Sequence, residues 1–248
     1  MTECPTHGMV LAAGLGRRMR PITDNLPKPL VPLAGKTLLD RALDQLQAVN
    51  VSAATVNLHY LGDMIEDHLA ARSKPRITFS WETDLLLETG GGVAAALMTL
   101  GNNPFYVVNA DIAWEDGSHP ALNRLAEFWR DDTMDALLLL HPIAQATGYD
   151  GAGDYRYDDQ GVLTRRRDDA TAPYVFCGVQ LLHPRLFADA PAGPFSLTRL
   201  YDKAEVSGRL FGIVHDGAWH HIGTPAGLTE AEEIFGAIPT TGDDSNGG

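Results

Sequence analysis

The chain has 248 residues, 44% of them hydrophobic, and a formal net charge of −13. That length and apolar content give one large α/β domain or two small ones with a sizeable core. The acidic balance argues against nucleic acid, whose binding proteins carry a basic footprint. No apolar run approaches the roughly 20 residues of a membrane span, and the polar start from Met1 to Gly8 lacks the apolar core of a signal peptide. Cys4 and Cys177 are too few for a disulfide framework, and no Cys/His cluster has zinc spacing. The expectation is a cytoplasmic protein with reduced thiols and no membrane or nucleic-acid partner, gripping a small anionic ligand locally.

Met9 to Ala13 is a short apolar run ending in glycine, the pattern of a buried parallel strand feeding a phosphate loop. From Leu11 to Lys28 the chain then reads Leu-Ala-Ala-Gly-Leu-Gly-Arg-Arg-Met-Arg-Pro-Ile-Thr-Asp-Asn-Leu-Pro-Lys. Arg17, Arg18, Arg20 and Lys28 stand there against the single acid Asp24. Gly14 and Gly16 let backbone N–H groups turn toward and approach a ligand, and the cations add charge for phosphate. A dinucleotide fingerprint begun at Gly14 needs a glycine where Met19 stands, and a P-loop needs Gly-Lys-Ser/Thr at Met19-Arg20-Pro21. Neither template fits. A plain glycine-rich turn with solvated arginines is the bland alternative, and Pro27-Lys28-Pro29 weighs against it.

Thr37 with Asp40 forms a weak capping box, and Leu38, Leu39, Ala42, Leu43, Leu46 and Val49 recur at helical spacing. Strand, helix and strand follow over Thr55 to Leu58, Asp63 to Ala71 and Arg76 to Trp81, which predicts right-handed βαβ units and a mostly parallel sheet flanked by helices. Gly90 to Gly92 open a helix predicted over Val93 to Leu100, although glycine lowers helix propensity. Close approach of a flat ligand, or a flexible turn, would account for them. Phe105 to Val108 is a strand ended by Asn109-Ala110-Asp111, where open α/β sheets bind ligands. Asp111 is there a ligand for a hard cation such as Mg²⁺ or a helix cap. Pro120 to Arg130 reads as a helix and Asp135 to Leu140 as a strand. From residue 142 to 182 the alternation dissolves into glycines, acids and short extended pieces, an insertion of hairpins suited to a second substrate. Tyr174 to Leu182 resumes strand character around Gly178. A helix from Leu197 to Ala204 and strands at Leu210 to His215 and Ala218 to Ile222 complete the sheet. Thr224 and Pro225 open a helix to Phe235. One unit over 1–236 with a disordered tail over 237–248 follows.

Leu-Ala-Ala-Gly-x-Gly-x-Arg-Met-x-Pro with Pro-Lys-Pro-Leu-Val-Pro-Leu-Ala-Gly-Lys resembles the amino-terminal signature of the sugar-1-phosphate nucleotidyltransferases, over Val10 to Lys36. The resemblance implies a Rossmann-like nucleotide-diphospho-sugar transferase fold. It implies nucleotide contacts at Leu11, Ala12, Ala13, Gly14 and Gly16. Leu87 to Gly91 matches the family's base-contact segment, making Glu82, Thr89 and Gly90 base-binding candidates. Asn109-Ala110-Asp111 matches the family's Asn-Gly-Asp metal motif, with alanine for glycine. Asn109, Gly153, Asp154 and Gly178 are sugar-phosphate candidates, Asp154 being equally a turn acid. Two departures stand out. Arg165-Arg166-Arg167 replaces a Glu-Glu-Lys-Pro segment, and an arginine there binds phosphate bidentately or lies on a solvated face. His221 occupies the place of the second metal-binding Asp, as metal ligand, phosphate contact or structural histidine.

With a nucleoside triphosphate and a sugar 1-phosphate as substrates, the nucleophile is an already ionised phosphate oxygen and no general base is needed. Arg17 and Lys28 are then the catalytic cations, and Mg²⁺ on Asp111 and His221 bridges phosphates. Leu-Glu-Thr-Gly-Gly-Gly, Phe176 to Pro184 and the compact length are similar to the N-acetylmuramate 1-phosphate uridylyltransferases, which implies UTP and N-acetylmuramic acid 1-phosphate. A mannose-1-phosphate guanylyltransferase and a silent nucleotide-sugar sensor are the rival readings. The protein is expected as a monomer or small homo-oligomer.

Overall fold

The computed structural model describes residues 4–167 and 171–236. β1 (His7–Leu11) lies mid-sheet, and the chain leaves it through a loop with a 3-10 turn at Arg17–Met19 and a short ribbon, β2 (Pro32–Leu33) and β3 (Lys36–Thr37). α1 (Leu38–Ala48) starts where the capping pattern places it, the Thr37 hydroxyl accepting the Asp40 N–H at 3.0 Å. Then come β4 (Ala53–Leu58), α2 (Gly62–Leu69), β5 (Arg76–Trp81), α3 (Glu88–Leu100) and β6 (Phe105–Asn109). The order β6-β1-β4-β5 is parallel throughout. All its βα turns therefore open at one edge, where this architecture places ligands.

β7 (Ile112–Trp114), α4 (Ala121–Phe128), β8 (Ala136–Pro142), β9 (Tyr155–Tyr157), β10 (Leu163–Arg165) and β11 (Tyr174–Leu182) continue the chain. β11 inserts antiparallel between β6 and β8, so the sheet is mixed although most of it is parallel. The β9–β10 hairpin branches from β11 at Tyr155 and Tyr174 and is the extended part of the 142–182 segment. α5 (Thr198–Val206), β12 (Leu210–Val214), β13 (Trp219–His221) and α6 (Pro225–Gly236) end the described chain, with β12 parallel to β8. β13 pairs not with the main sheet but with β7, His221 opposite Ile112. The tail over 237–248 lies outside the described residues.

Both sheet faces are covered. One core gathers Val10, Leu43, Val56, Val108 and Trp219, and the other Met9, Val93, Val107, Leu138 and Tyr201. Consecutive residues of β1 and β6 feed opposite cores, as a strand buried on both sides requires. Among the described residues no helix is long and apolar enough to cross a membrane.

Candidate active site

A cavity of about 600 Å³ lies beyond the carboxyl ends of β1, β4 and β6. Leu11, Ala12, Ala13, Gly14, Gly16, Arg17, Arg18, Lys28, Asn57, Glu88, Thr89, Asn109 and Asp111 contribute to its walls. The loop after β1 turns through Gly16, whose φ of 60° is left-handed, and the Thr23 hydroxyl donates to the Gly16 carbonyl at 2.8 Å. Gly14 differs, because a Cβ there meets nothing within 4 Å. No protein neighbour requires that glycine, and the space above it belongs to the cavity.

The loop is anchored from behind by buried polar groups. The Ala12 N–H donates to Asn57 Oδ1 at 2.7 Å, Asn57 Nδ2 donates to Glu82 Oε1 at 2.7 Å, and the Leu87 N–H donates to Glu82 Oε2 at 2.7 Å. Both Glu82 oxygens are therefore engaged by the protein, and Glu82 is only 3% exposed. Glu82 stands behind the cavity wall rather than in it, holding Asn57 and the approach to α3. The glycine run is explained in the same way. A Cβ on Gly90 would stand 2.3 Å from the Phe195 ring, one on Gly91 2.5 Å from the Gly193 carbonyl, and one on Gly92 2.8 Å from Glu82 Oε1. α3 begins at Glu88 rather than Val93, and its glycines admit three protein neighbours where a flat ligand was expected. Of the base-contact candidates only Thr89 lines the cavity.

The four loop cations divide sharply. Arg20 pairs with Asp24 at 3.2 Å on the surface, and Lys28 Nζ donates to Asp111 Oδ2 at 2.8 Å. Arg17 and Arg18 line the cavity with no acidic partner among the described residues. Burial pushes the Asp111 carboxyl up, but the Lys28 charge and hydrogen bond, with weaker help from His221 and Arg18, hold it below its ordinary value. The β7–β13 ribbon brings His221 beside Asp111, the Ile222 N–H donating to the Asp111 carbonyl at 3.1 Å. Burial lowers the His221 pKa, so its imidazole is neutral at pH 7. The ring stacks on Trp219, centroids 6.1 Å apart, and its Nε2 edge lies against Gly223, which itself lines the cavity. Among the described residues no group of three or more His, Cys, Asp or Glu is arranged to hold a metal.

A second cavity, about 280 Å³, shares Thr89 and Asn109 with the first, so the two form one cleft. Asp154, Arg165, Arg166, Phe176, Gln180 and Tyr201 line it. Asp154 Oδ2 accepts the Phe176 N–H at 2.9 Å, a strand-tying role beside its place in the wall. Arg165 grips Asp202 with both arms, at 2.6 and 2.9 Å, and Arg167 binds Asp202 and Glu205 at 2.9 Å each. Arg166 Nε donates to the Gly153 carbonyl at 2.7 Å. Gly153 and Gly178 do not line the cavity. Gly178, at φ 77°, sits in a bulge of β11 where a Cβ would press on Asn109 Nδ2 at 3.0 Å, and Gly153, at φ 76°, packs on the Ala172 carbonyl. Both position their neighbours. Asn57, Glu88, Gln180 and Tyr201 are cleft residues beyond the sequence candidates. Asn57 has a signal, a carboxamide within an otherwise apolar strand end, whereas the left-handed φ of 60° at Glu88 has none.

The family model of the MobA-like NTP transferase domain matches residues 8–147, more than half of the chain and the part that builds most of the first cavity. The chain belongs to this family. This NTP transferase is 41% identical over 236 residues to the N-acetylmuramate alpha-1-phosphate uridylyltransferase of Caulobacter vibrioides, covering 94% of the chain and 98% of the relative. It is 33% identical to the enzyme of the same name from Neisseria meningitidis serogroup B, covering 92% and 98%. Among solved structures, UDP-glucose pyrophosphorylase complexed with UDP-glucose superposes with a TM-score of 0.74 at 18% identity, covering 92% of this chain and 97% of that one. The inositol-1-phosphate CTP transferase of T. maritima also gives 0.74, at 17% identity, covering 97% and 99%. At those identities the likeness shows the nucleotide-diphospho-sugar transferase fold. The transferase class rests on the family match.

Proposed function

We propose that the protein transfers a nucleotidyl group from a nucleoside triphosphate to a sugar 1-phosphate, releasing pyrophosphate, and that its substrates are UTP and N-acetylmuramic acid 1-phosphate. The observation that carries the reading is the pairing of two cavities in one cleft, with the unpaired guanidiniums of Arg17 and Arg18 at one end and hydrogen-bonding side chains at the other. The names of the two relatives supply the choice of base and sugar.

In the reaction an oxygen of the sugar phosphate attacks the α-phosphorus, the bond from that phosphorus to the bridging oxygen breaks, and pyrophosphate leaves. The nucleophile is ionised from the start, so no side chain has to remove a proton. The barrier lies in bringing two polyanions together in line, which positioned positive charge lowers. Arg17 stabilises charge growing on the departing pyrophosphate, and Lys28 holds the phosphates near the reacting α position. Gly14 and Gly16 let the loop N–H groups approach the triphosphate, while Thr89 and Asn109 stand where the two substrates meet.

Asp111 fits a hard divalent cation, Mg²⁺ by its oxygen preference. Its Oδ1 makes no hydrogen bond among the described residues, and its depressed pKa keeps it ionised. His221 would be the second protein ligand, and the bound cation would supply charge neutralisation between phosphates. The test is a pyrophosphate-release panel that crosses UTP, dTTP, GTP and CTP with several sugar 1-phosphates, with and without Mg²⁺. The reading predicts highest kcat/KM for UTP with N-acetylmuramic acid 1-phosphate and loss of turnover on chelation. Nucleotide-sugar binding without pyrophosphate release would instead make the protein a sensor.

A further inference from the structure

The second cavity contains one group that nothing among the described residues satisfies. Gln180 is fully buried and lines the cavity, yet its Nε2 has no hydrogen-bond partner. Its other end is fixed, because the Tyr201 hydroxyl donates to Gln180 Oε1. An unsatisfied amide N–H₂ in a buried place costs about 1–3 kcal/mol, so an acceptor that arrives with a ligand gains by filling it. Phe176 and Tyr201, rings edge to face with centroids 6.2 Å apart, form the apolar wall beside that donor, with Leu197. A fixed N–H donor next to an aromatic wall matches a group with a carbonyl oxygen and a methyl on the same carbon.

We propose that Gln180 determines sugar specificity by donating from Nε2 to the carbonyl of a 2-acetamido group, whose methyl packs on Phe176 and Tyr201. This rests on the nucleotidyl-transfer reading above and deepens it at the sugar end. Tyr201 acts through Gln180 as a positioning residue, holding the carboxamide so that nitrogen rather than oxygen faces the substrate. A lactyl carboxylate is the competing acceptor. It has no methyl on the carbon that carries its oxygens, so the aromatic wall favours the acetamide.

The experiment measures pyrophosphate release with UTP and three acceptors: N-acetylmuramic acid 1-phosphate, muramic acid 1-phosphate, which lacks the acetyl group, and N-acetylglucosamine 1-phosphate, which lacks the lactyl group. Gln180→Met keeps the side-chain length and removes both amide atoms. It is expected to lower the kcat/KM preference for N-acetylmuramic over muramic acid 1-phosphate about tenfold or more, with the KM for UTP within about twofold of the parent. Tyr201→Phe is expected to lower the same preference by a smaller factor. An unchanged preference in folded Gln180→Met overturns the proposal. So does a variant that loses only its preference for the lactyl-bearing sugar, since that assigns the donor to the carboxylate. If Gln180→Met melts below the assay temperature, Tyr201→Phe decides alone. Failure of the unaltered protein to release pyrophosphate from any pair removes the transfer reading itself, a result distinct from a folded, active variant with parental preference.

Discussion

At the amino-terminal end of the cleft Arg17 and Arg18 form no ion pair among the described residues, whereas at the other end Arg165 and Arg167 share Asp202 and Glu205. The loop end leaves its charge uncommitted beside a glycine with open space above it. The hairpin end uses its charge to bind the β9–β10 hairpin to α5, and lines its cavity with the polar side chains of Asn109, Asp154 and Gln180. Uncompensated positive charge suits a polyanion that arrives and departs, and paired charge suits a wall that must keep its shape. An arginine is thus a poor guide to function until its partner is known.

That contrast breaks most easily at Arg17. Arg17→Ala is expected to lower kcat by about 10²–10³-fold, as loss of a transition-state donor does, while nucleotide affinity changes by less than tenfold in a binding titration. Equal losses in both would make Arg17 only a binding residue. The glycines give a second cut. Gly90→Ala drives a Cβ into Phe195 and is expected to cost about 1–3 kcal/mol of stability in denaturant unfolding. Gly14→Ala has room, so its melting temperature stays near the parent's while its KM for UTP rises. A smaller effect is expected at the hairpin end, where Asp202→Ala releases Arg165 and Arg167 together. About 1 kcal/mol of stability is lost, and KM rises for the sugar phosphate but not for UTP.

The smallest effect is on pH. Burial lowers the pKa values of His141, His215 and His220 below the ordinary 6.5. Well above pH 6.5 they are neutral in both folded and unfolded chains and contribute no slope. As pH falls below that value the unfolded chain takes up protons first, so stability declines on acidification until the folded histidines also protonate. Unfolding curves from pH 7.5 down to pH 5, repeated with His220→Gln, are expected to show a flatter decline in the variant.

The sequence made the architecture legible because its signals are local. β5 and β11 fall where their apolar runs place them, and Thr37 caps α1 as its spacing predicts. The glycine loop and Asp111 were legible as cavity-lining residues because sheet topology brings strand ends together. The Gly90 to Gly92 run was not legible, since the reason for Gly90 and Gly91 lies in Phe195 and Gly193, a hundred residues on, and that for Gly92 in the buried Glu82 carboxylate. Glu82 reads as a ligand group in the sequence because its buried partners, Asn57 at the end of β4 and the Leu87 N–H before α3, lie on separate elements. β13 was legible as a strand, but its pairing with β7 was not, because three residues of alternation do not name a partner.

The two-stranded ribbon of β7 and β13 has a mechanical consequence. Asp111 and His221 ride on adjoining rungs of one small ladder, so their spacing is inherited from backbone pairing and not from mobile loops. The Trp219 indole N–H fastens that ladder to the Cys177 carbonyl of β11 at 2.9 Å. Strand β11, which also carries Gln180 of the second cavity, is thereby joined through one indole to the ladder that spaces the carboxylate and the imidazole.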